Sequence, residues 1–173
     1  AFETLVLAGL KADQALVAIN SSLNLATVGG VAIEQAATTL VSVGTAIGYT
    51  AEGFDRVADV IAKTAALSMS SVETLSEAFK SASSVNRLYG VSLEDIATSL
   101  GVLSNLGIKG SAAGTALKNF YKELASSNSE SAKTFKAMGL EMSQLKDSAG
   151  NFKPLLEVVN LLDDGMKRLT LAN

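Results

Sequence analysis

Apolar residues recur at helical spacing in successive blocks along this chain, and glycine or helix-capping residues separate each block from the next. The clearest block has its apolar residues on one helix face: Phe54, Val57, Ala58, Ile61 and Ala65. Breaks recur about every twenty residues, near Gly48, Ser70, Gly90 and Gly107. This interval favours stacked helix hairpins. The segments share no strict consensus, so a solenoid repeat array is only the alternative.

The composition favours the same fold class. Of the 173 residues, 48% are hydrophobic, 5% are aromatic, one is proline and none is tryptophan. Because sheets rely on aromatic and β-branched cross-strand pairs, these values favour close-packed helices. Charged residues make up 18% of the chain and no heptad pattern persists, which argues against a long exposed coiled coil. We predict an all-α fold, a compact assembly of about seven or eight short helices arranged as helix hairpins.

Capping residues predict several helix boundaries. Ser70 and Glu73 form the pattern of a capping box, in which the serine accepts a free amide and the glutamate reaches back to the cap amide. Gly90 is expected to end that helix. Ser92 together with Asp95 is expected to start the next helix in the same way.

The two ends of the chain are also predicted to be helical. The first apolar block predicts one helix from about Phe2 to about Ala26. Ser127 with Glu130 is expected to open a short helix that ends near Gly139. Pro154 suits the first turn of a last helix, where its missing amide hydrogen removes no helical hydrogen bond.

A glycine-rich run between two helical blocks superficially resembles a phosphate-binding loop. The spacing is wrong, because Lys109 precedes Gly110, whereas a P-loop needs lysine directly after the second glycine. We predict that Gly107 ends one helix and that Gly110 adopts a backbone conformation closed to larger residues. Ser111 is expected to cap the next helix, and Gly114 to let a neighbouring helix approach closely. The predicted turn and packing positions are Gly90, Gly107, Gly110, Ser111 and Gly114.

Residue types restrict the chemistry that is possible here. The chain has no cysteine and no histidine, which excludes disulfides, zinc sites of Cys and His, and histidine acid/base catalysis. Four carboxylate pairs are interpreted as solvated helix faces: Asp55 with Asp59, Glu73 with Glu77, Glu94 with Asp95, and Asp163 with Asp164. Acid-before-base pairs at (i, i+4) are expected on such faces: Glu52 with Arg56, Asp59 with Lys63, Asp163 with Lys167, and Asp164 with Arg168. We assign no catalytic, cofactor-binding or metal-binding residue.

Charge is distributed unevenly along the chain. Residues 1–100 contain 5 basic and 10 acidic groups, a net charge of −5, whereas residues 101–173 contain 9 basic and 7 acidic groups, a net charge of +2. Lysines in the second half could form a basic strip: Lys109, Lys118, Lys122, Lys133 and Lys136. Few aromatic residues lie among them, so we interpret the strip as a solvated face, with loose contact to a polyanion as the alternative.

One stretch raises the question of a membrane. Between Gln14 and Ala51 the only charged residue is Glu34, and this length of chain could cross a bilayer. Polar residues and glycines dilute the stretch, which argues against a true transmembrane helix. The chain begins at Ala1 rather than methionine and shows no signal-peptide pattern, so we expect it to be a segment of a longer protein.

Three stretches, in their order and spacing, resemble the core region of phage tail tape measure proteins. The stretches are Phe54 to Ala62, Gly90 to Ala97 and, most specifically, Gly107 to Leu117. The later turn from Asp147 to Asn151, leading into Leu155 and Leu156, resembles the segment that closes this region in the family. The resemblance covers roughly Val31 to Leu162.

The resemblance implies a structural protein without enzymatic activity. Family members occupy the lumen of a growing tail, fix the number of tube-protein rings, and leave ahead of the DNA. It implies association with tail tube and tail-tip proteins, tail assembly chaperones and other copies, and transient contact with DNA or the host membrane. It also implies a place in the virion tail, after assembly in the bacterial host cytoplasm. Extended coiled coils, membrane spans and cell-wall hydrolase domains of whole family members are not evident here.

The expected domain organisation follows from the same resemblance. Residues 1–30 are expected to form an N-terminal helix that continues from an upstream part of a longer protein, residues 31–162 a tape-measure-like helical core, and residues 163–173 the end of the last helix. Extended as one helix, the chain would span about 260 Å, whereas a compact globule of this length has a radius of gyration of about 16 Å.

Two rival functions stay open. One is a membrane-active helical module that acts during genome ejection. The other is a hydrolase, which the missing histidine and cysteine disfavour.

Overall fold

A computed structural model describes residues 1–126 and 130–171 of the chain. Nine α-helices and two 3-10 helices occur in this part, and its only extended pairing is an isolated bridge between Lys146 and Phe152. The α-helices are α1 (Phe2–Leu7), α2 (Ala12–Gly29), α3 (Ile33–Ala46), α4 (Phe54–Leu67), α5 (Val72–Tyr89), α6 (Leu93–Asn105), α7 (Gly110–Ala125), α8 (Glu130–Ala137) and α9 (Leu155–Leu171). The 3-10 helices are Ala51–Gly53 and Met142–Leu145. The all-α prediction is confirmed.

The first predicted helix is in fact two helices. Gly9 has a φ of 95°, a conformation that favours glycine, and it separates α1 from α2. The amide of Leu10 donates to the carbonyl of Leu5 at 3.2 Å and closes the break. The prediction of one helix from Phe2 to Ala26 is therefore wrong, and this break helps to raise the helix number above the predicted seven or eight.

Of the helix caps predicted at Ser70, Ser92 and Ser127, one lies where predicted, one is shifted by one residue and one lies outside the described residues. Ser92 is the N-cap of α6, and its hydroxyl accepts the amide of Asp95 at 3.0 Å, as predicted. The cap of α5 is Ser71 rather than Ser70, because the Ser70 hydroxyl is paired with the hydroxyl of Ser104 at 2.9 Å. Ser127, the predicted cap of the short helix, lies outside the described residues, as do the last two residues of the predicted segment 163–173.

One hydrophobic core extends from Leu5 in α1 to Val158 in α9. It therefore runs across the boundary predicted between residues 30 and 31. Its largest fully buried side chains include Tyr121, Phe54 and Phe79. Alanines at many core positions bring helix axes close together: Ala15, Ala18, Ala36, Ala37, Ala58, Ala78, Ala82, Ala97 and Ala113.

The most extensive helix contact joins α5 to α7, which are not consecutive in the chain. The N-terminal end of α7 lies beside Thr74 and Glu77 of α5, and the next turn of α7 lies beside Ala78 and Ser81. Contacts thus advance in the same direction along both helices, so the two helices run parallel. The helix α6 connects α5 to α7 in the chain. It packs on both of them and also on α4.

Candidate interaction site

Glycines of the predicted turn lie at the entrance to α7. Gly107 follows the end of α6 with a φ of 87°, and Gly110 opens α7 with a φ of 56°. A Cβ atom at Gly110 would lie 2.9 Å from Oε2 of Glu77, so α5 closely approaches this turn. Both backbone conformations are ones that residues with side chains rarely adopt.

Gly114 lies one turn further along α7, at the closest approach to α5. A Cβ atom at this position would overlap the carbonyl oxygen of Ala78 and come within 2.7 Å of Cβ of Ser81. Because the first of these atoms belongs to backbone, no side-chain rotation could relieve the overlap. The parallel α5–α7 pair therefore depends on the absence of a side chain at Gly114.

Ser111 does not occupy its predicted place. The N-cap of α7 is Lys109, whose backbone is extended, and Ser111 lies within the first turn on an exposed face. The prediction that Ser111 caps the helix is wrong, because the N-cap is Lys109 and the helix begins at Gly110, two residues earlier than a cap at Ser111 would place its start. A serine directly after Gly110 has the residue type of an N-cap, but residue type alone does not locate the first residue of the helix.

Gly90 ends α5 with a φ of 67° and lies against the loop that precedes α9. A Cβ atom at Gly90 would overlap the side chain of Asn151. Beside it, the amide of Phe152 donates to the carbonyl of Tyr89 at 2.9 Å. The carboxylate of Asp147 holds this loop by accepting the amides of Ala149 and Asn151, both at 2.9 Å.

Aromatic side chains gather where α5, α7 and this loop meet. The Tyr121 ring lies 5.2 Å from the Phe152 ring and 6.1 Å from the Tyr89 ring, centroid to centroid. Phe120 contacts Tyr121 edge-on at 5.3 Å. These separations are those of favourable aromatic pairs. The sequence did not predict this cluster, because Tyr89, Phe152 and the neighbours Phe120 and Tyr121 come from three separate parts of the chain, and only their aromatic character in an aromatic-poor chain marks them.

Tyr121 is fully buried, and its hydroxyl has no hydrogen-bond partner among the residues that the structure describes. Burial, together with the nearby charge of Asp95, raises the pKa of Tyr121 to about 12. In the unfolded chain the pKa of tyrosine is about 10. The neutral phenol is therefore strongly favoured in the folded state.

Replacing Tyr121 with phenylalanine is expected to raise the free energy of unfolding at pH 7 by about 1 kcal/mol, because an unsatisfied buried hydroxyl is removed. Since the folded pKa lies above the unfolded one, the native protein loses stability as the pH rises from 10 towards 12. Tyr121→Phe should remove that part of the pH dependence. Urea unfolding between pH 7 and pH 11 measures both effects, with Tyr49→Phe as the control, and equal curves for both variants would contradict the assignment.

Several of the carboxylates predicted on solvated faces take part in hydrogen bonds or ion pairs, among them Asp55, Glu94 and Asp163. Asp163 pairs with Lys167 at 2.5 Å, as predicted. The backbone oxygen of Asp164, not its carboxylate, accepts from Arg168 at 3.3 Å. Within residues 1–126 and 130–171, no ion pair joins Asp59 to Lys63, and no group of three or more acidic side chains could hold a metal ion.

Arg56 makes a connection that the (i, i+4) pattern did not predict. Its Nε donates to Glu94 of α6 at 2.7 Å, while Glu52 accepts the hydroxyl of Thr50. The hydrogen bond from Arg56 lowers the pKa of Glu94 below its usual value. The predicted pair of Glu52 with Arg56 is thus replaced by an interhelical pair, because α6 packs directly on α4. With both side chains about half exposed, this pair adds little stability.

The predicted basic strip is divided between elements. Lys118 and Lys122 are exposed one turn apart on α7. Lys133 and Lys136 belong to α8, where Lys133 pairs with Glu130 at 2.5 Å. Lys109 occupies the N-cap position of α7, and its side chain makes no capping hydrogen bond.

Apolar side chains are exposed in several places in the part of the chain that the structure describes. A groove of about 720 Å³ lies between α6, α7 and α9 and is lined mainly by apolar side chains, among them Val102, Phe120, Leu156 and Val159. Near the N-terminus, α2 exposes the side chain of Leu16, which is 62% accessible to solvent. No single helix in the described part is long and apolar enough to span a bilayer, whereas α2 and α3 pass that test together as a pair bent by 113°.

Comparison with known proteins gives one family. The sequence model of the family described as phage-related minor tail protein matches residues 1–173. The tape measure protein of Pneumococcus phage Dp-1 is 32% identical over 168 residues, which is 97% of this chain and 14% of that protein. The probable tape measure protein of Escherichia phage P2 is 26% identical over 165 residues, 95% of this chain and 20% of that protein.

The chain thus spans less than a quarter of the length of either relative. No solved structure matches it. The comparison therefore identifies the sequence region, whereas its architecture comes from the helices and contacts described above.

Proposed function

We propose that this chain, which belongs to the phage-related minor tail protein family, is a structural module of a phage or prophage tail tape measure protein. In this proposal the whole protein acts in tail assembly, in tail length determination and in DNA delivery. The module acts as a folded unit within the virion tail, after assembly in the host cytoplasm. It performs no catalysis.

The observation that carries this proposal is the single hydrophobic core from α1 to α9. A continuous helix of this length would measure about 260 Å, but the longest helices among residues 1–126 and 130–171 have 18 residues, which corresponds to roughly 27 Å. Unfolding the core to extend it would expose residues such as Phe54, Phe79 and Tyr121 to water. A module that stays folded adds little to the length that the whole protein measures.

The proposed partners are tail components. Tail tube and tail-tip proteins, tail assembly chaperones and other copies of the chain would contact its exposed helix faces. Lys118 and Lys122 support a loose, salt-dependent contact with DNA phosphates, because both are exposed on one helix. In this scheme the predicted segments 1–30, 31–162 and 163–173 are parts of one unit that is joined to the rest of the protein.

A second candidate function is membrane activity during genome ejection. The observation that favours it is the bent pair of α2 and α3, which is apolar and long enough to enter a bilayer as a broken span. Against it, the inner faces of both helices already pack in the core, with Leu25 and Leu40 fully buried. Dye release from liposomes by the purified chain would support this candidate, and intact liposomes would remove it.

Deleting these 173 residues in frame from a phage tape measure protein tests the main proposal. We expect any tails that form to shorten by less than about 50 Å, since a compact globule of this length is roughly 40 Å across. We also expect the number of infectious particles to fall. Electron microscopy of negatively stained tails and plaque counts measure the two effects.

A deletion of equal length in a long helical segment elsewhere in the same protein is the matched control. It should shorten the tail by about 260 Å if that segment lies extended. Equal shortening in both deletions would contradict the folded module. Unchanged infectivity after deletion of the module would contradict its role in assembly and delivery.

A further inference from the structure

The segment of residues 140–171, here named the α9 arm, contributes little to the hydrophobic core. Its helix α9 has 17 residues, of which Val158 and Gly165 are buried. By contrast, seven of the 18 residues of α5 and six of the 16 residues of α7 are buried. Because burial of apolar surface is the main source of stability, α9 is held to the core less firmly than α5 and α7 are held to each other.

Open space separates α9 from the helices beside it. The groove of about 720 Å³ lies between α9 and the pair α6 and α7, and a second groove of about 270 Å³ lies further along α9, beside α7 and α8. Leu156 and Val159 line the first groove and are 72% and 45% exposed, while Met166 lines the second and is 51% exposed. Side chains that border open space lack the dispersion contacts of close packing, so they add little to the stability of the docked arm.

Hydrogen bonds within the arm hold its own structure together. In the loop before α9, the amide of Lys153 donates to the carbonyl of Leu145 at 3.0 Å, and the amide of Asp147 donates to the carbonyl of Asn151 at 2.9 Å. At the start of α9, Lys153 pairs with Glu157 at 2.6 Å. These bonds involve arm residues alone, so they persist when the arm moves as a unit.

Phe152 anchors the arm to the core. Its ring is 5% exposed and lies 5.2 Å from the ring of Tyr121 and 6.0 Å from the ring of Tyr89, centroid to centroid. Its amide donates to the carbonyl of Tyr89 at 2.9 Å. Loss of these contacts would release the loop before α9 from both α5 and α7.

The anchor includes an unfavourable element that opening relieves. The Tyr121 hydroxyl is buried without a hydrogen-bond partner among the residues that the structure describes. A buried hydroxyl without a partner costs free energy, which is regained when water reaches it. Because Phe152 packs on the Tyr121 ring, departure of the arm gives water a path to this hydroxyl.

Gly139 provides a pivot between α8 and the arm. It has a φ of 71°, and glycine is the residue whose backbone changes conformation most freely. A Cβ atom at Gly165 would lie 3.0 Å from Cβ of Met138 and 2.9 Å from Cδ1 of Leu140, so α9 contacts the residues on either side of the pivot. The middle of α9 therefore stays beside the pivot while its first turn, next to Phe152, moves.

We propose that the α9 arm is a latch: Phe152 leaves its place on Tyr89 and Tyr121, and the arm turns about Gly139 as a unit while α1 to α7 stay folded. Such an opening is a local event that costs less free energy than unfolding of the whole chain. The latch goes beyond the proposed function, because it adds a change of shape to the folded module. With the arm open, the faces of α6 and α7 that line the larger groove become accessible, and the packing of α1 to α7 is kept.

Hydrogen exchange of the whole 173-residue chain tests the latch. In the wild type, the amides of α9 should be at least about tenfold less protected than those of α5, because the arm opens more often than the chain unfolds. Phe152→Ala should accelerate exchange in α9 by at least about a further tenfold, since the aromatic anchor is lost. Mass spectrometry of peptides that cover residues 72–89 and 155–171 measures both helices in one sample.

Val43→Ala is the matched control in the core. Val43 is fully buried in α3, which packs on α1, α2, α4 and α5. The change lowers the stability of the whole chain but not the free energy of opening the arm. It should therefore accelerate exchange in α5 and leave exchange in α9 unchanged.

Tyr121→Phe should have the opposite effect to Phe152→Ala. Removing the unsatisfied hydroxyl favours the closed arm, so exchange in α9 should slow roughly fivefold. If exchange slows in α5 but not in α9, the Tyr121 hydroxyl stays covered without the arm and the anchor is wrongly assigned.

Three further results overturn the latch: equal protection of α9 and α5 in the wild type, equal acceleration of both helices by Val43→Ala, and unchanged exchange in α9 after Phe152→Ala. Circular dichroism checks the folding of each variant, and Phe152→Leu is the milder change at the anchor. An arm that never opens would leave the tail-length result of the deletion standing, so the two proposals fail separately.

Discussion

Gly114→Ala is expected to lower the free energy of unfolding by about 2 kcal/mol, although alanine is normally the better helix residue by roughly 1 kcal/mol. The reason is the overlap between the new Cβ atom and the carbonyl oxygen of Ala78, which is backbone and can move only if α5 and α7 separate. For a domain of this size the melting temperature should fall by roughly 4–8 °C. Urea unfolding followed by circular dichroism provides the free energy.

The matched control is Gly101→Ala in α6. A Cβ atom there would lie 3.3 Å from Cγ2 of Thr64 and 3.5 Å from Cβ of Ser68. These are side-chain atoms and can shift slightly, so the gain in helix propensity should prevail and stability should stay equal or rise by up to about 1 kcal/mol. If both variants change stability by the same amount, the close α5–α7 contact does not decide the effect.

Phe54→Ala should be more costly still, with a loss of about 3–5 kcal/mol. The Phe54 ring is 1% exposed and lies against Gly44 of α3, at a point where any side chain on α3 would collide with the ring. Truncation removes the buried ring and leaves a cavity that neighbouring backbone cannot fill. Phe54 also opens one of the stretches that resemble tape measure proteins, so that part of the resemblance reflects the core.

Phe2→Ala serves as the control for the Phe54 variant. The Phe2 side chain is 42% exposed at the start of α1, so its truncation should cost less than about 1 kcal/mol. Both variants can be measured by thermal and urea unfolding on the same day and buffer. A loss below about 1 kcal/mol at Phe54 would show that α3 and α4 are not packed as described.

Local sequence signals predicted much of the helix plan. Ser92 and Gly90 were predicted from chemistry that acts within one helical turn, and both lie where expected. The break at Gly9 was missed, because a single glycine within an apolar pattern is compatible with a continuous helix until its φ is known. The shift of the α5 cap to Ser71 has a tertiary cause, since α6 supplies the partner of Ser70.

The site was less predictable than the helices. Glycine at position 114 predicted a close approach of some helix, but its partner, Ala78, lies in a helix two elements earlier. The same holds for Arg56, whose partner Glu94 is 38 residues away, and for the ring of Phe152 on Tyr121. Such contacts depend on topology, which periodicity within a single helix does not contain.

The central claim is that the helical core persists inside the assembled tail. Ser68→Cys with Gly101→Cys tests it, because a Cβ atom at position 101 lies 3.5 Å from that of Ser68, within the range of about 3.5–4.5 Å for disulfides. The chain itself has no cysteine, so a new bond within it must join these two positions. Each single variant is the control for bonds between copies.

The decisive measurement is the yield of this disulfide after mild oxidation of intact virions, determined by mass spectrometry of the linked peptides. A folded module predicts an intramolecular bond in most copies, with tail length and infectivity unchanged. Reduced cysteines in intact tails, together with ready bond formation in the purified chain, would contradict the claim and show that the segment lies extended in the tube.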